Sequence, residues 1–165
     1  MTLRELVNSI KNSIDLKQNR DIRHLSNILK NYDSNDWRQY RLINDFSYNK
    51  VLVDKTDDCD IYIITWKNYQ ASRIHNHSAN GCLYKILEGR LMEEQYDRNL
   101  EFIGFKNLFE KNIGYIDNHM QYHKMINYTD EISVSLHIYS PPDHITEYYS
   151  LSSFPIIPPK KLPCN

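Results

Sequence analysis

From Tyr48 to Ser140 the chain is a series of short runs rich in branched and aromatic residues, and little interrupts them. The first glycine is Gly81 and the first proline is Pro141. The runs YNKVLVDK, DIYIITW, CLYKILEG, RLMEEQYD, YHKMIN and ISVSLHIYS have the composition and length of strands, and FIGFKNLFEKN adds one or two more. Glu88-Gly89 fits a hairpin turn. Pro141-Pro142 stops the last strand, because proline has no N–H to give to a ladder. No helical segments alternate with the runs, so a parallel α/β sheet is excluded. A small antiparallel sandwich or barrel is the expected architecture.

Short helices precede the strands. Thr2 and Glu5 have capping-box spacing, and Leu3, Leu6, Val7, Ile10 and Ile14 fall on one side at helical period. A second helix is expected over Asp21 to Leu29, with Ile22, Leu25, Ile28 and Leu29 as its stripe. A third is expected after Asp33 or Ser34, with Trp37 and Tyr40 inward. These helices are too short to make their own core, so the 165 residues are read as one domain. It divides into a helical part over about 1–45, a barrel over about 46–148 and a proline-rich tail over 150–165.

Charge narrows the partners. Twenty basic and 21 acidic residues leave a formal charge of -1, which gives no general attraction to nucleic acid or an anionic membrane. No apolar run approaches the roughly 20 residues that span a bilayer. The start, MTLRELVNSIKNSIDL, mixes polar and apolar residues where a signal peptide would be continuously apolar. Three cysteines, Cys59, Cys82 and Cys164, form neither a disulfide framework nor a CxxC pair. A monomer in the reducing cytoplasm is expected.

Two stretches carry chemistry. In IHNHSANGC, His75 and His77 stand two apart, so a strand puts both rings on one face, where they can reach one ion. They can equally be ordinary strand-end residues. A third ligand has to come from elsewhere, with His119, His123 and His137 as candidates, while His24 falls on a helix and is read as structural. In ISVSLHIYS, Ile132, Val134, Leu136 and Ile138 share one face; Ser133, Ser135, His137 and Tyr139 share the other. That polar row faces water in an ordinary sandwich, or lines a cavity. Cys82 alone reads as a small buried hydrophobe.

HNHSANGCLYKILEG together with YHKMIN resembles the two metal motifs of the cupin superfamily. From about Trp37 to Tyr148 the chain more closely resembles the cysteine dioxygenases, most specifically in the order Trp66, HNH, Cys82, YH and SLHIYSPP. The resemblance implies an all-β cupin barrel, a jelly-roll-like antiparallel fold, with His75, His77 and His123 holding iron(II). Cys82 stands where other cupins have a glutamate ligand. Three neutral imidazoles leave the ion's charge uncompensated, which suits a substrate that binds as a thiolate. The glycine that opens the first motif is missing at Tyr69, and the proline and glycine of the second are missing at Met120 and Tyr122.

The family's other roles fall on particular residues. Cys82 and Tyr139 resemble the pair that forms a thioether crosslink in the animal enzymes. His137 resembles the residue that hydrogen-bonds this tyrosine, with Ser135 as the outer member of the row. Trp66 resembles a packing aromatic near the pocket. Tyr48 and Lys50 resemble the anchor of the substrate carboxylate, but the family has arginine where this chain has Lys50. Lysine keeps the charge and loses the planar fork. The implied reaction is oxidation of L-cysteine by dioxygen to cysteine sulfinate. A 3-mercaptopropionate dioxygenase and a non-catalytic metal-binding cupin are the alternatives. Sugar-isomerase chemistry lacks an acid pair, since Glu93 and Glu94 read as hairpin residues.

Overall fold

In the computed structural model, which describes residues 1–15 and 21–150, two five-stranded antiparallel sheets supply the frame. The first is ordered β1 (Asn49–Lys55), β2 (Asp60–Trp66), β9 (Ser133–Tyr139), β4 (Cys82–Glu88) and β7 (Ile113–Ile116). The second is ordered β10 (Tyr148–Tyr149), β3 (Ile74–His75), β8 (Tyr122–Ile126), β5 (Arg90–Tyr96) and β6 (Phe102–Phe109). The strand runs expected from sequence match β1, β2, β4, β5, β8 and β9. FIGFKNLF is a single strand followed by a turn. The short strands β3, β7 and β10 have no counterpart in the sequence reading, because two to four residues are too few to display a period. From Leu151 onward the expected tail lies outside the described residues, as does Cys164.

The helices explain which way the first sheet faces. α1 (Leu3–Ser13) begins at Thr2 with the capping box the sequence predicts and buries Leu3, Leu6, Val7 and Ile10. An eleven-residue helix is marginal in water; each aliphatic side chain it buries contributes about 2 kcal/mol and holds it against the sheet. A 3₁₀ turn (Arg23–Leu25) runs into α2 (Ser26–Lys30), and a second 3₁₀ turn (Asp36–Tyr40) stands where a third helix was expected. Their apolar residues pack with Ile61, Ile63, Leu83, Val134, Leu136 and Ile138 from one face of the first sheet. The opposite face contributes Ile64, Trp66, Cys82, Tyr84 and Ile86 to the barrel interior, where they meet Leu91, Leu108 and Met125 of the second sheet. The first sheet is therefore covered on both sides, which is why DIYIITW is almost continuously apolar.

Lys85 fixes this docking. It lies on β4 between inward-facing Tyr84 and Ile86, so its side chain points to the helices. Its buried ammonium donates to the carbonyls of Leu29 (3.0 Å), Lys30 (3.2 Å) and Tyr32, closing the C-terminal end of α2. The hairpin expected at Glu88-Gly89 does not form: β4 and β5 pair with other strands in different sheets, and the bend between them carries the chain from one sheet to the other. Gly89 there has φ +73°, and a Cβ would lie 2.6 Å from Ser133 Oγ and 2.8 Å from the Ile132 carbonyl.

Candidate metal centre

All three proposed ligands come from the second sheet or its immediate extension. His75 ends β3, His77 follows it, and His123 lies opposite His75 on β8. One ring nitrogen from each lies within 4.8 Å of the others. His119 sits in the turn after Asp117, and His137 belongs to the other sheet, so register settles which histidine joins the pair. His24 bridges the Asp21 and Ser13 carbonyls with its two ring nitrogens (3.0 and 3.2 Å), a structural role.

The hydrogen bonds fix the tautomers. His75 Nδ1 lies 2.8 Å from the Arg73 carbonyl, and His123 Nδ1 lies 2.8 Å from Glu93 Oε1. Both partners only accept, so each Nδ1 carries a proton, and in the neutral rings each Nε2 presents a lone pair. The two Nε2 atoms face each other at 3.2 Å. Lone pairs that close repel unless a positive charge lies between them. A proton suits the place poorly: burial, then the neighbouring His123 ring, push His75 down to about 3. His77 is fully buried and neither of its ring nitrogens has a hydrogen-bond partner. Burial drives its basicity well below the usual histidine range. Unpaired buried nitrogens cost stability, and a metal ion satisfies all of these lone pairs at once. The residues therefore fit a metal. Neutral imidazoles accept iron, zinc, nickel or copper alike.

Facing them is the row on β9. Trp66 Nε1–H donates to Ser135 Oγ (2.9 Å), and Ser135 Oγ lies 2.9 Å from His137 Nε2. Where the Ser135 hydroxyl donates to Nε2, the neutral His137 ring carries its proton on Nδ1. That nitrogen is 3.3 Å from the Tyr139 hydroxyl and 3.6 Å from Cys82 Sγ. Cys82 stands directly opposite Tyr139 in the β4–β9 register. Burial pushes the Cys82 thiol up to about 12 and holds the Tyr139 phenol well above its usual range. The row faces inward because the helices occupy the other face of its sheet.

Tyr48 stacks on Trp66 (4.6 Å between centroids). The Lys50 ammonium lies 4.0 Å from the Tyr62 ring centroid and 4.1 Å from that of Tyr139, and burial lowers its basicity. With His75, His123, His137, Tyr139 and Tyr148 they line a cavity of about 40 Å³, room for only a few water-sized groups.

The family profile described as cysteine dioxygenase type I matches residues 1–152. The chain belongs to the cysteine dioxygenase type I family. Its relatives include cysteine dioxygenase type 1 of Danio rerio, 30% identical over 152 residues, which cover 86% of this chain and 75% of that protein. The Rattus norvegicus protein of the same name is 30% identical over 132 residues, covering 74% of this chain and 66% of that one. Among solved structures, a Klebsiella pneumoniae protein with a double-stranded β-helix domain matches with TM-score 0.59 at 14% identity, covering 68% of this chain and 93% of that one. A Thermus thermophilus protein matches with TM-score 0.57 at 15% identity, covering 67% and 99%. These two share the fold, an all-β cupin barrel. Family membership makes the chain a cysteine dioxygenase-like enzyme.

Glu93, read from sequence as a hairpin residue, is corrected by the structure. It does lie on the strand after the Glu88-Gly89 turn, but it is 1% exposed and accepts the His123 Nδ1–H. Burial pushes its carboxyl up, yet hydrogen bonds from His123 and Tyr84 outweigh this and hold it below the usual range. Such partners orient a metal-binding ring and raise its basicity. The available signal was alternation: Glu93 shares a face with Leu91, which is fully buried. In this cysteine dioxygenase family member, Glu93→Gln is expected to leave the fold intact and weaken metal binding about 10-fold. Circular dichroism, together with metal competition against a chelator, checks this.

Proposed function

We propose that the protein oxidises the sulfur of L-cysteine with dioxygen to cysteine sulfinate, using iron(II) held by His75, His77 and His123. The observation that carries this reading is the convergence of three imidazoles, with both His77 nitrogens otherwise unpaired, at a small cavity that His75 and His123 line together with His137 and Tyr139. Iron(II) bound there supplies the redox chemistry of dioxygen and thiolate. Three neutral ligands bring no negative charge, so the site favours an anionic sulfur. Lys50 and Tyr48 hold the substrate carboxylate. Ser135 keeps the His137 proton on Nδ1, His137 hydrogen-bonds the Tyr139 oxygen, and the phenol proton of Tyr139 is left to point at substrate. Both atoms of dioxygen end on sulfur, so the thiol becomes the sulfinic acid with no other reductant. The cavity suits a free thiol of a few heavy atoms. We take the protein as a cytoplasmic monomer.

The direct register of Cys82 and Tyr139 supports a thioether between the sulfur and the phenol ring: the Cys82 S–H and one ring C–H of Tyr139 break, the C–S bond forms, and the two protons and two electrons reduce dioxygen to hydrogen peroxide. Intact-protein mass spectrometry after turnover is expected to find a species two hydrogens lighter than the sequence; a Cys82→Ser variant should never give it. The main test is iron-dependent oxygen uptake with L-cysteine and equal formation of sulfinate. Iron loading without oxygen uptake on any small thiol would favour a metal-binding module without turnover. Lys50, lacking a guanidinium, favours 3-mercaptopropionate as the second substrate to assay.

A further inference from the structure

Beyond the inner cavity lies an open basin lined by Ser47, Tyr48, Lys50, Ala71, Arg73 and Tyr148. It shares Tyr48, Lys50 and Tyr148 with the cavity, so the two adjoin, with the basin on the open side. Arg73 is the one residue of the basin that brings a guanidinium. It stands two residues before His75, and its carbonyl orients that ring. Its guanidinium lies 4.4 Å from the Tyr148 ring centroid, and Tyr148 pairs with His75 across β10 and β3. Arg73 is exposed and makes no ion pair with any carboxylate among the described residues; Lys50 makes none either. The entrance of a chain with net charge -1 thus holds two cations whose partners are aromatic faces alone. A cation on a ring face keeps its N–H donors free for an anion.

We propose that Arg73 is a specificity-determining residue that receives the carboxylate of the incoming thiol, supplying beside Lys50 the planar two-pronged donor that a lysine lacks. The proposal rests on the thiol-oxidation reading and names the residue that selects its substrate class. The Tyr148 ring holds the guanidinium at the lip of the cavity. Carboxylate-bearing thiols are then held at both ends, and thiols without a carboxylate only at sulfur.

The test is binding, measured calorimetrically under argon so that no turnover is needed. Protein loaded with iron(II) is titrated with L-cysteine, with 3-mercaptopropionate and with cysteamine, which has no carboxylate. Arg73→Gln is expected to weaken the two carboxylates 10-fold or more and cysteamine less than 2-fold; Arg73→Lys should fall between Arg73→Gln and the wild type. Equal loss of all three thiols would make Arg73 a structural support of His75, and no loss of any would make it a solvated arginine. Either result overturns the proposal. A wild-type protein that binds cysteine through Arg73 but takes up no oxygen would sink the dioxygenase reading and leave the Arg73 assignment standing.

Discussion

A His77→Ala variant is expected to fold, to be as stable as the wild type when both are free of metal, and to neither retain iron nor oxidise cysteine. His77 is fully buried and both ring nitrogens lack a partner, so in the metal-free protein it is a burden. An unsatisfied buried polar group costs about 1–3 kcal/mol. Truncation to alanine removes that cost and opens a cavity of similar cost, so the two roughly cancel. The metal behaves differently. Losing an outer partner of a ligand already weakens metal binding by about 10–100-fold, and losing one ligand of three should exceed that. Metal content after dialysis, oxygen uptake with cysteine, and thermal midpoints of the chelator-treated proteins decide the matter. A metal-free variant that melts far below the wild type would show that His77 is a packing residue.

Gly114→Ala is expected to destabilise the protein by about 2–3 kcal/mol and to cut thiol oxidation as well. Gly114 stands directly opposite Tyr84 in the β4–β7 register. A Cβ there would lie 2.2 Å from Tyr84 Cζ and its hydroxyl oxygen, so the ring must move. Tyr84 is 1% exposed, stacks on His137 at 5.5 Å and hydrogen-bonds Glu93, leaving it little room. Displacing it disturbs the carboxylate behind His123 and the ring behind Tyr139 together. Adding Tyr84→Leu should restore most of the stability, giving a large favourable coupling in a double-mutant cycle followed by urea denaturation. The hydrogen bond to Glu93 stays lost, so activity should recover less. If Gly114→Ala alone is neutral, the steric argument fails.

Much of this was legible in the sequence because strands alternate. HNH and SLHIY each set two functional side chains on one face, and α1 shows its stripe and its cap. What alternation cannot show is which face is inside. The β9 row reads equally well as wet or buried until the helices are seen covering Val134, Leu136 and Ile138. Nor can it pick the third ligand, because the choice of His123 over His119 and His137 depends on the β3–β8 register. Glu93 had a signal, an acid on the same face as Leu91, but hairpin chemistry gave a simpler reading of it. Arg73 had none. It lies on no periodic element, and its place at the entrance follows from the pairing of β3 with β10.

The site is split between the two sheets. His75, His77, His123 and Glu93 belong to one; Lys50, Trp66, Cys82, Ser135, His137 and Tyr139 belong to the other. On the proposed reading, the groups that grip the ion and those that handle the bound molecule stand on different sheets, with Tyr84 as a link between them through Glu93 and His137. Anything that loosens the seam between the layers, such as mild warming or a cavity in the shared interior, widens the gap across which the two halves must cooperate. If the proposed function holds, turnover is expected to fade before the ion leaves its cradle, so the protein's first injury would be a loss of skill, with its cargo still aboard.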